Sequence, residues 1–384
     1  MKPLVLSSIR RQNLLKVLDQ LTFSPAMTRQ ELVDATHLSQ MTVTNLVELL
    51  KKQGVLRLTP ISRDEANRPA LGRKAEAISL TGEEKAWLIV NISGRQFSMK
   101  LRGFDLTPLM ELHDEKQGEY LPRLEAFLQE SREKVLAALG DRELLGVAIV
   151  TPGPYEISSD TVHNQRLPQL NGVKVKELFR RCLGSYEYYV DEDVKFAVRA
   201  FSDLIVSQQC EVLYYLYIGE GVGGSAVHGG NMLRGLNATA GDAGHLLGRS
   251  GATFESRIST EAFLRRLELP VPISSETLPA TLAAYAQAHP LRYHAALDEM
   301  AAVAAKMLHA VLWMLDPTHI IVDCVYARPR EDVFIAALEK HLRQHFEGED
   351  RLLPQLLPCA SGVSSVLHGA VSVLQRAWLE RILT

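Results

Sequence analysis

The chain has 384 residues, is 46% hydrophobic and 23% charged, and carries a formal net charge of −3. That length is too great for one compact domain and suits two or three. Residues 1–80 hold 12 Lys+Arg against 7 Asp+Glu, a net of +5, and the remainder 30 against 38, a net of −8. A basic head on an acidic body fits phosphate contact by the head alone. No stretch approaches the roughly 20 apolar residues of a membrane span. Met1–Leu6, with Arg10 and Arg11 soon after, does not read as a signal peptide. Cys182, Cys210, Cys324 and Cys359 are scattered with no CxxC spacing. They read as reduced thiols of a cytoplasmic protein and exclude a disulfide framework or a zinc knuckle.

The elements begin with Ser8–Leu21, an amphipathic helix with Ile9, Leu14, Leu15 and Leu18 on one side. Thr28 then makes an N-cap, and Glu31 three residues on completes a capping box. Leu32, Val33 and Ala35 give a short helix its apolar face, and His37 and Leu38 make a turn. Ser39 caps a second helix, Gln40–Gln53, and Gly54 ends it at C′. Val43, Leu46, Val47 and Leu50 follow the i, i+3, i+4, i+7 spacing of a core face. Ser39, Gln40, Thr42, Thr44 and Asn45 stay outward near the helix N-terminus, where small polar groups of a recognition helix reach base edges. Val55–Leu58 and Ala77–Leu80 read as the two strands of a wing, and Arg68, Arg73 and Lys74 lie in the charged segment between them. These neighbours favour a winged helix-turn-helix over two helices of an ordinary bundle. The expected domains are 1–82 for this head and 83–384 for the body.

Trp87–Ile92, Ser98–Leu101 and a run near Leu109 read as strands, and Leu121–Leu139 as a helix. Leu144–Val150 is a continuous apolar run of the kind that forms a buried strand. Helices are expected over Val173–Arg181 and Val194–Val206, and strands over Glu187–Val190 and Val212–Ile218. Thr281–Leu315 reads as helix broken near Pro290. His319–Val322 and Leu356–Pro358 read as strands, Glu331–Phe346 and Ser364–Ile382 as helices. Two rounds of strands followed by alternating strand and helix predict an α/β fold of two similar halves with a cleft between them.

Three motifs carry a resemblance. Thr151–Pro154 (TPGP) is similar to the VPGP turn of the ROK family of repressors and sugar kinases. Val190–Val194 (VDEDV) stands where that family has VENDA. Gly219–Leu247 (GEGVGGSAVHGGNMLRGLNATAGDAGHLL) is similar to its GTGIGG…GxLxRGxNGxAGEIGH block. The chain is identified on these as a ROK member of the repressor group. The resemblance implies a two-lobed sugar-kinase-like (actin-like ATPase) fold behind the winged helix-turn-helix. It also implies that the basic segment Arg68–Lys74 approaches phosphates or a minor groove.

The family's kinases bind ATP phosphates with two glycine turns, and this chain departs at both. Where they have DLGGT it reads Asn91-Ile92-Ser93-Gly94-Arg95, and where they have GTGIGG it reads Gly219-Glu220-Gly221-Val222-Gly223-Gly224. A carboxylate at Glu220 would repel phosphate oxygens. Phosphoryl transfer is therefore read as lost, and neither catalysis nor a cofactor is expected. The resemblance places the family's sugar-site positions on Arg166, Glu192, Asp193, Asp242, His245 and Glu255. Asp193 falls on the kinases' general base, and a binding-only protein can use that carboxylate as an acceptor. Arg at 166 could fill the pocket or hold an anionic ligand. The segment after His245, LGRSGATFESRIS, lacks the CxCGxxGC cysteines that hold zinc in many ROK proteins, so no metal is expected.

The sequence thus predicts a DNA-binding repressor controlled by a sugar or sugar derivative. It would act as a homodimer or homotetramer on a double-stranded operator, away from any membrane. The alternatives are a sugar kinase that kept a DNA-binding head, and a regulator whose body docks a protein partner and binds no sugar.

Overall fold

The computed structural model describes residues 2–24, 26–61, 76–93, 96–114, 116–164, 167–201, 211–248, 250–274, 276–346, 353–359 and 364–383. Arg68, Arg73, Lys74 and Arg166 lie outside these residues, as do Gly94, Arg95 and Cys210. The chain divides into two compact units, one of residues 1–192 with 370–384, the other of 193–369.

The first unit opens with α1 (Lys2–Phe23), α2 (Arg29–Thr36) and α3 (Gln40–Lys52), followed by strands β1 (Leu56–Pro60) and β2 (Glu76–Leu80). The capping box forms as expected: the Thr28 N–H donates to Glu31 Oε2 at 2.6 Å and the Glu31 N–H to Thr28 Oγ1 at 3.2 Å. Those bonds satisfy donors that a helix N-terminus leaves free, and they hold the Glu31 carboxyl below its usual range. Gly54 has φ +70°, as a helix-ending glycine requires. Val43, Leu46, Val47 and Leu50 are buried under α3, and Leu32 under α2. β1 and β2 pair antiparallel from Leu56↔Leu80 to Pro60↔Glu76, and Met27 bridges to Ile78. Arg29 ties the helices to the wing through Glu76 (2.7 Å) and Glu48 (3.4 Å). α1 begins several residues before the expected Ser8, and its buried face starts at Leu14: Leu14, Leu15 and Leu18 are buried as expected, whereas Ile9 is 48% exposed.

The same unit continues with β3 (Lys85–Asn91), β4 (Ser98–Gly103), β5 (Pro108–His113), α4 (Tyr120–Leu139), β6 (Glu143–Thr151), the short hairpin β7 (Tyr155–Glu156) and β8 (Thr161–Val162), α5 (Val175–Leu183) and β9 (Tyr188–Glu192). Its sheet runs β5-β4-β3-β6-β9, antiparallel through β5, β4 and β3 and parallel from β3 to β9. Alternate strand residues Ala86, Leu88 and Val90 face a core shared with Leu124, Phe127 and Leu128 of α4 and Leu178 and Phe179 of α5. α5 starts two residues later than the sequence pattern suggests, after Lys174.

The second unit holds α6 (Asp193–Arg199), β10 (Val212–Ile218), β11 (Val222–His228), β12 (Asn231–Met232), α7 (Phe254–Ile258), α8 (Thr260–Arg266), α9 (Leu278–Ala288), α10 (Pro290–Leu315), β13 (His319–Cys324), α11 (Glu331–His345) and β14 (Gln355–Pro358). Its sheet runs β12-β11-β10-β13-β14 with the same directions, antiparallel through β12, β11 and β10 and parallel from β10 to β14. The expected break falls between α9 and α10, where Pro290 takes the first turn and loses no intrahelical bond. Ala301, Ala304, Ala305 and Leu308 of α10 pack with Phe334 and Leu338 of α11 and with Ile320 and Val322 of β13. The last helix, α12 (Ser365–Leu383), begins in the second unit and ends in the first. In the first unit Trp378 packs edge-on against Phe104 at 5.1 Å, and Phe104 against Trp87 at 5.2 Å, covering the sheet face opposite α4.

Among the described residues no helix is long and apolar enough to cross a membrane, and Cys182, Cys324 and Cys359 are free and buried.

Candidate functional site

The head presents one polar helix end. Ser39 caps α3 by accepting from the Thr42 N–H at 3.2 Å, and its hydroxyl also meets Thr42 Oγ1 at 2.8 Å. Thr44 donates back to the Gln40 carbonyl at 2.9 Å. Three of the five expected contact residues therefore spend hydroxyl bonds on shaping the helix start. Gln40 and Asn45 stand exposed beside them. Met41, which polarity alone would not single out, is 76% exposed on the same helix; an apolar group there can meet a thymine methyl.

The second unit gathers Asp193, Asp242, His245 and a lysine that the motif comparison left out. Asp193 opens α6, and its Oδ1 accepts the Val194 N–H at 2.7 Å. Lys195, two residues on, is buried and donates to the Ala238 carbonyl. Ala238 belongs to the loop that leads to Asp242, so the lysine ties α6 to that loop. Asp242 Oδ2 pairs with His245 Nδ1 at 2.9 Å, while Asp242 Oδ1 is buried with no hydrogen-bond partner among the described residues. The imidazole itself is 69% exposed. Burial pushes the Asp193 carboxyl above its usual range; the Val194 N–H and Lys195 oppose that, and the nearby Asp242 adds to it. Burial likewise raises Asp242 against the opposing pull of His245. Two crowded carboxyls with one buried ammonium make a set of hydrogen-bond acceptors suited to hydroxyl donors. A lysine inside the apolar run Val194–Val198 was the one sequence signal for Lys195.

Glu192 and Glu255 are occupied differently. Glu192 lies in the first unit, buried, with Oε1 accepting the Tyr155 N–H at 3.0 Å. It sits under the TPGP turn, and a methyl on Gly153 would lie 2.4 Å from its other oxygen. Asn164 donates to the Gly153 carbonyl in the same turn. Glu255 Oε2 accepts the Val222 N–H at 3.0 Å, at the start of β11. Both carboxylates hold backbone that the glycine motifs leave without side chains.

In both glycine turns hydrogen bonds close within the turn. In the first unit Asn91 Oδ1 accepts both the Ser93 N–H (2.9 Å) and the Ser93 hydroxyl (2.7 Å), so the turn closes on itself. In the second, the Gly219 N–H donates to the Gly221 carbonyl at 2.8 Å, and Glu220 is exposed at the tip. The glycines here answer to packing. A methyl on Gly219 would lie 2.1 Å from the Tyr217 hydroxyl, one on Gly224 1.9 Å from that of Tyr214, and one on Gly244 1.9 Å from the Val222 carbonyl. Tyr217 is a further residue that the motifs missed. Burial raises its phenol, with the charges of Asp193 and Asp323 adding to the effect. Asp323, at the end of β13, pairs with Arg328 at 3.3 Å and accepts from Tyr215 at 2.7 Å.

A winged helix-turn-helix followed by two five-stranded sheets of one topology defines the class: a sugar-kinase-like (actin-like ATPase) fold with a winged head. The ROK family profile matches residues 124–377, and the chain belongs to the ROK family. Among solved structures, a ROK family transcriptional regulator described as a homologue of the Escherichia coli Mlc protein is 18% identical. It covers 98% of each chain with a TM-score of 0.65. A ROK family glucokinase from Streptomyces griseus, solved with glucose and AMPPNP, is 17% identical and covers 75% of this chain and 98% of its own, with a TM-score of 0.60. A ROK hexokinase from Thermus thermophilus is 20% identical and covers 77% and 99%, with a TM-score of 0.57. No curated protein matches the chain in sequence.

Proposed function

We propose that this protein is a cytoplasmic DNA-binding transcriptional repressor whose affinity for its operator is set by a sugar or sugar derivative. Residues 1–82 form the DNA-binding domain, and residues 83–384 the effector-binding and oligomerisation domain. The observation that carries this reading is the outward polar start of α3, capped and stiffened by Ser39, Thr42 and Thr44 and presenting Gln40 and Asn45. A helix-turn-helix uses that end in the major groove. The matched kinases leave about a quarter of this chain uncovered, a length close to that of the head, whereas the matched regulator spans it. Arg68, Arg73 and Lys74 add phosphate contacts in this reading. The protein binds as a homodimer or homotetramer, because two half-sites one helical turn apart give such a head useful affinity.

Asp193, Asp242 and His245 hold the effector through its hydroxyls, with Glu255 fixing the start of β11 in the same unit; Glu192 and Arg166 belong to the effector set by the family resemblance alone. Genomic footprinting tests the regulator: discrete protected sites near genes of carbohydrate use are expected, and uniform or absent protection would reject it. Neutralising Arg73 and Lys74 together lowers DNA affinity and flattens its salt dependence; an unchanged slope counts against phosphate contact by the wing.

A second reading, a sugar kinase that kept its head, is favoured by Asp193, which stands on the kinases' general base. Glu220 at the glycine turn and the self-closed Asn91–Ser93 turn oppose it. Purified protein with ATP, magnesium and common hexoses is expected to give no turnover above background. ADP formation lost in Asp193→Asn would establish the kinase. Metal analysis is expected to find no stoichiometric zinc.

A further inference from the structure

The chain passes between its two units at Glu192/Asp193 and again at Gly369/Ala370. The first passage delivers Asp193, the carboxylate that opens α6. The second lies inside α12, an uninterrupted helix. Within the second unit these passages meet backbone to backbone. A methyl on Gly369 would sit 1.7 Å from the Phe196 carbonyl oxygen and 3.3 Å from the Ala200 nitrogen. Only a glycine lets α12 approach α6 so closely. The start of α12 is also pinned there: buried Ser365 meets the Tyr215 hydroxyl at 3.0 Å, and that hydroxyl donates to Asp323. Further along, in the first unit, α12 packs Leu374 near Gly146 and Trp378 on Phe104, and Arg381 donates to the Leu145 carbonyl at 2.6 Å. Its Glu380 pairs with Arg11 of α1, a helix of the DNA-binding head.

We propose that α12 is the lever by which occupancy at Asp193 reaches the head, with the Gly369–Phe196 contact as its input and the Glu380–Arg11 pair and the Trp378 packing as its output. This rests on the regulatory reading above. A ligand that draws Asp193 shifts α6 by its first residue. The carbonyl of Phe196 lies against α12 with no side chain between, so packed backbone passes the shift on instead of absorbing it. A helix of 19 residues carries a displacement at one end to the other. An effector changes DNA affinity only through an arrangement whose stability differs with and without it, and α12 supplies one element common to both sites.

The test is hydrogen exchange on the full chain without DNA or effector, so its outcome is independent of whether footprints are found. Gly369→Ala is compared with Leu338→Ala, which opens a cavity in the core of the second unit away from α6 and the Asp193 cluster. Gly369→Ala is expected to speed exchange about threefold or more in α1 residues 9–22 as well as in α6, and Leu338→Ala to leave α1 unchanged. Equal effects of the two on α1, or an effect of Gly369→Ala confined to residues 193–369, would overturn the proposal. Should Gly369→Ala not fold, the lever is read in reverse, since coupling is reciprocal. Glu380→Gln lies on an exposed surface. It is expected to raise exchange in both α1 and α6, whereas Lys116→Gln, which breaks the exposed Lys116–Glu130 pair, changes neither. An α6 indifferent to Glu380→Gln refutes the lever.

Discussion

The two five-stranded sheets share one strand order and one set of directions, yet they treat their polar groups in opposite ways. In the first, β5-β4-β3-β6-β9, loop carboxylates and amides are spent on neighbouring backbone: Asn91 on Ser93, Glu192 on Tyr155, Asn164 on Gly153. At its edge Glu111 is matched by Lys100 and Arg102, each at 2.9 Å. In the second, β12-β11-β10-β13-β14, carboxyls are crowded without full compensation. Asp193 and Asp242 are both raised by burial, and Asp242 keeps an unpartnered oxygen among the described residues. Unmatched buried polar groups cost stability. The first lobe has its own buried groups without a partner among the described residues, Trp87 Nε1 and Gln375 Nε2, but they are uncharged, whereas the second lobe crowds two carboxyls, the feature that motivates the ligand site proposed there.

The largest expected effect breaks or upholds that contrast directly. Asp193→Asn preserves shape and removes charge and acceptor strength. It is expected to abolish the effector response while effector-free DNA binding stays intact. Titration of an operator fragment, recovered by footprinting, with the effector identified from the neighbouring genes reads the outcome. An Asp193→Asn protein that still releases DNA at the same effector concentration moves the ligand elsewhere.

The next prediction sharpens the contrast in packing. Gly244→Ala sets a methyl against a backbone carbonyl, whereas Gly146→Ala in β6 sets one 3.0 Å from a Leu374 methyl that can rotate away. Thermal or urea unfolding is expected to show a loss of about 3 kcal/mol or more for the first and about 1 kcal/mol for the second. Equal losses would mean that the second lobe's glycine block is not tighter than the first lobe's strand.

Base specificity is expected outside both sheets. Gln40→Ala or Asn45→Ala is expected to cost about 1–3 kcal/mol at the preferred base pair, and less on other sequences. Wild-type footprints from both variants would put base reading on another surface, with exposed Met41 the first alternative.

How far the sequence revealed this molecule depended on how local the cause was. The Thr28–Glu31 box, the Ser39 cap, Gly54 and the break at Pro290 are set by residues within one turn of each other, and all are visible in the sequence. The apolar runs of β6, β10 and β13 declare themselves as buried strands. β11 does not, because Gly223 and Gly224 hide its pattern, Gly224 being required by Tyr214 of the neighbouring strand and Gly223 lying close to Val194 of α6. Asp193, Asp242 and His245 could be named from motifs, but the charge balance among them could not. It turns on Lys195, which reaches a carbonyl 43 residues away. The part played by Glu192 in holding Tyr155 is likewise a tertiary contact with no local signature.

The smallest effect is the acid response, and it runs with opposite sign at Glu111 of the first lobe and at Asp193 and Asp242 of the second. Lys100, aided by Arg102, lowers Glu111 to about 2. A carboxyl lowered on folding stabilises the native state above its unfolded value of about 4.3. That stabilisation is lost as pH falls from there toward 2. The side chain is 37% exposed, so solvent screening keeps the contribution small. Asp193 and Asp242 are raised instead. Native carboxyls that hold protons more tightly than unfolded ones weaken the fold at neutral pH. That weakening is relieved as pH falls through their native values, and is gone below the unfolded value of about 3.9. Acidification from pH 7 to pH 4 is therefore expected to slow amide exchange around α6 and residues 238–245, after correction for intrinsic rates, while β4 and β5 hold steady. Below pH 4 those two strands loosen first. Parallel behaviour of the two lobes across that range would show that their carboxyls are equally compensated, and the contrast between them would fail.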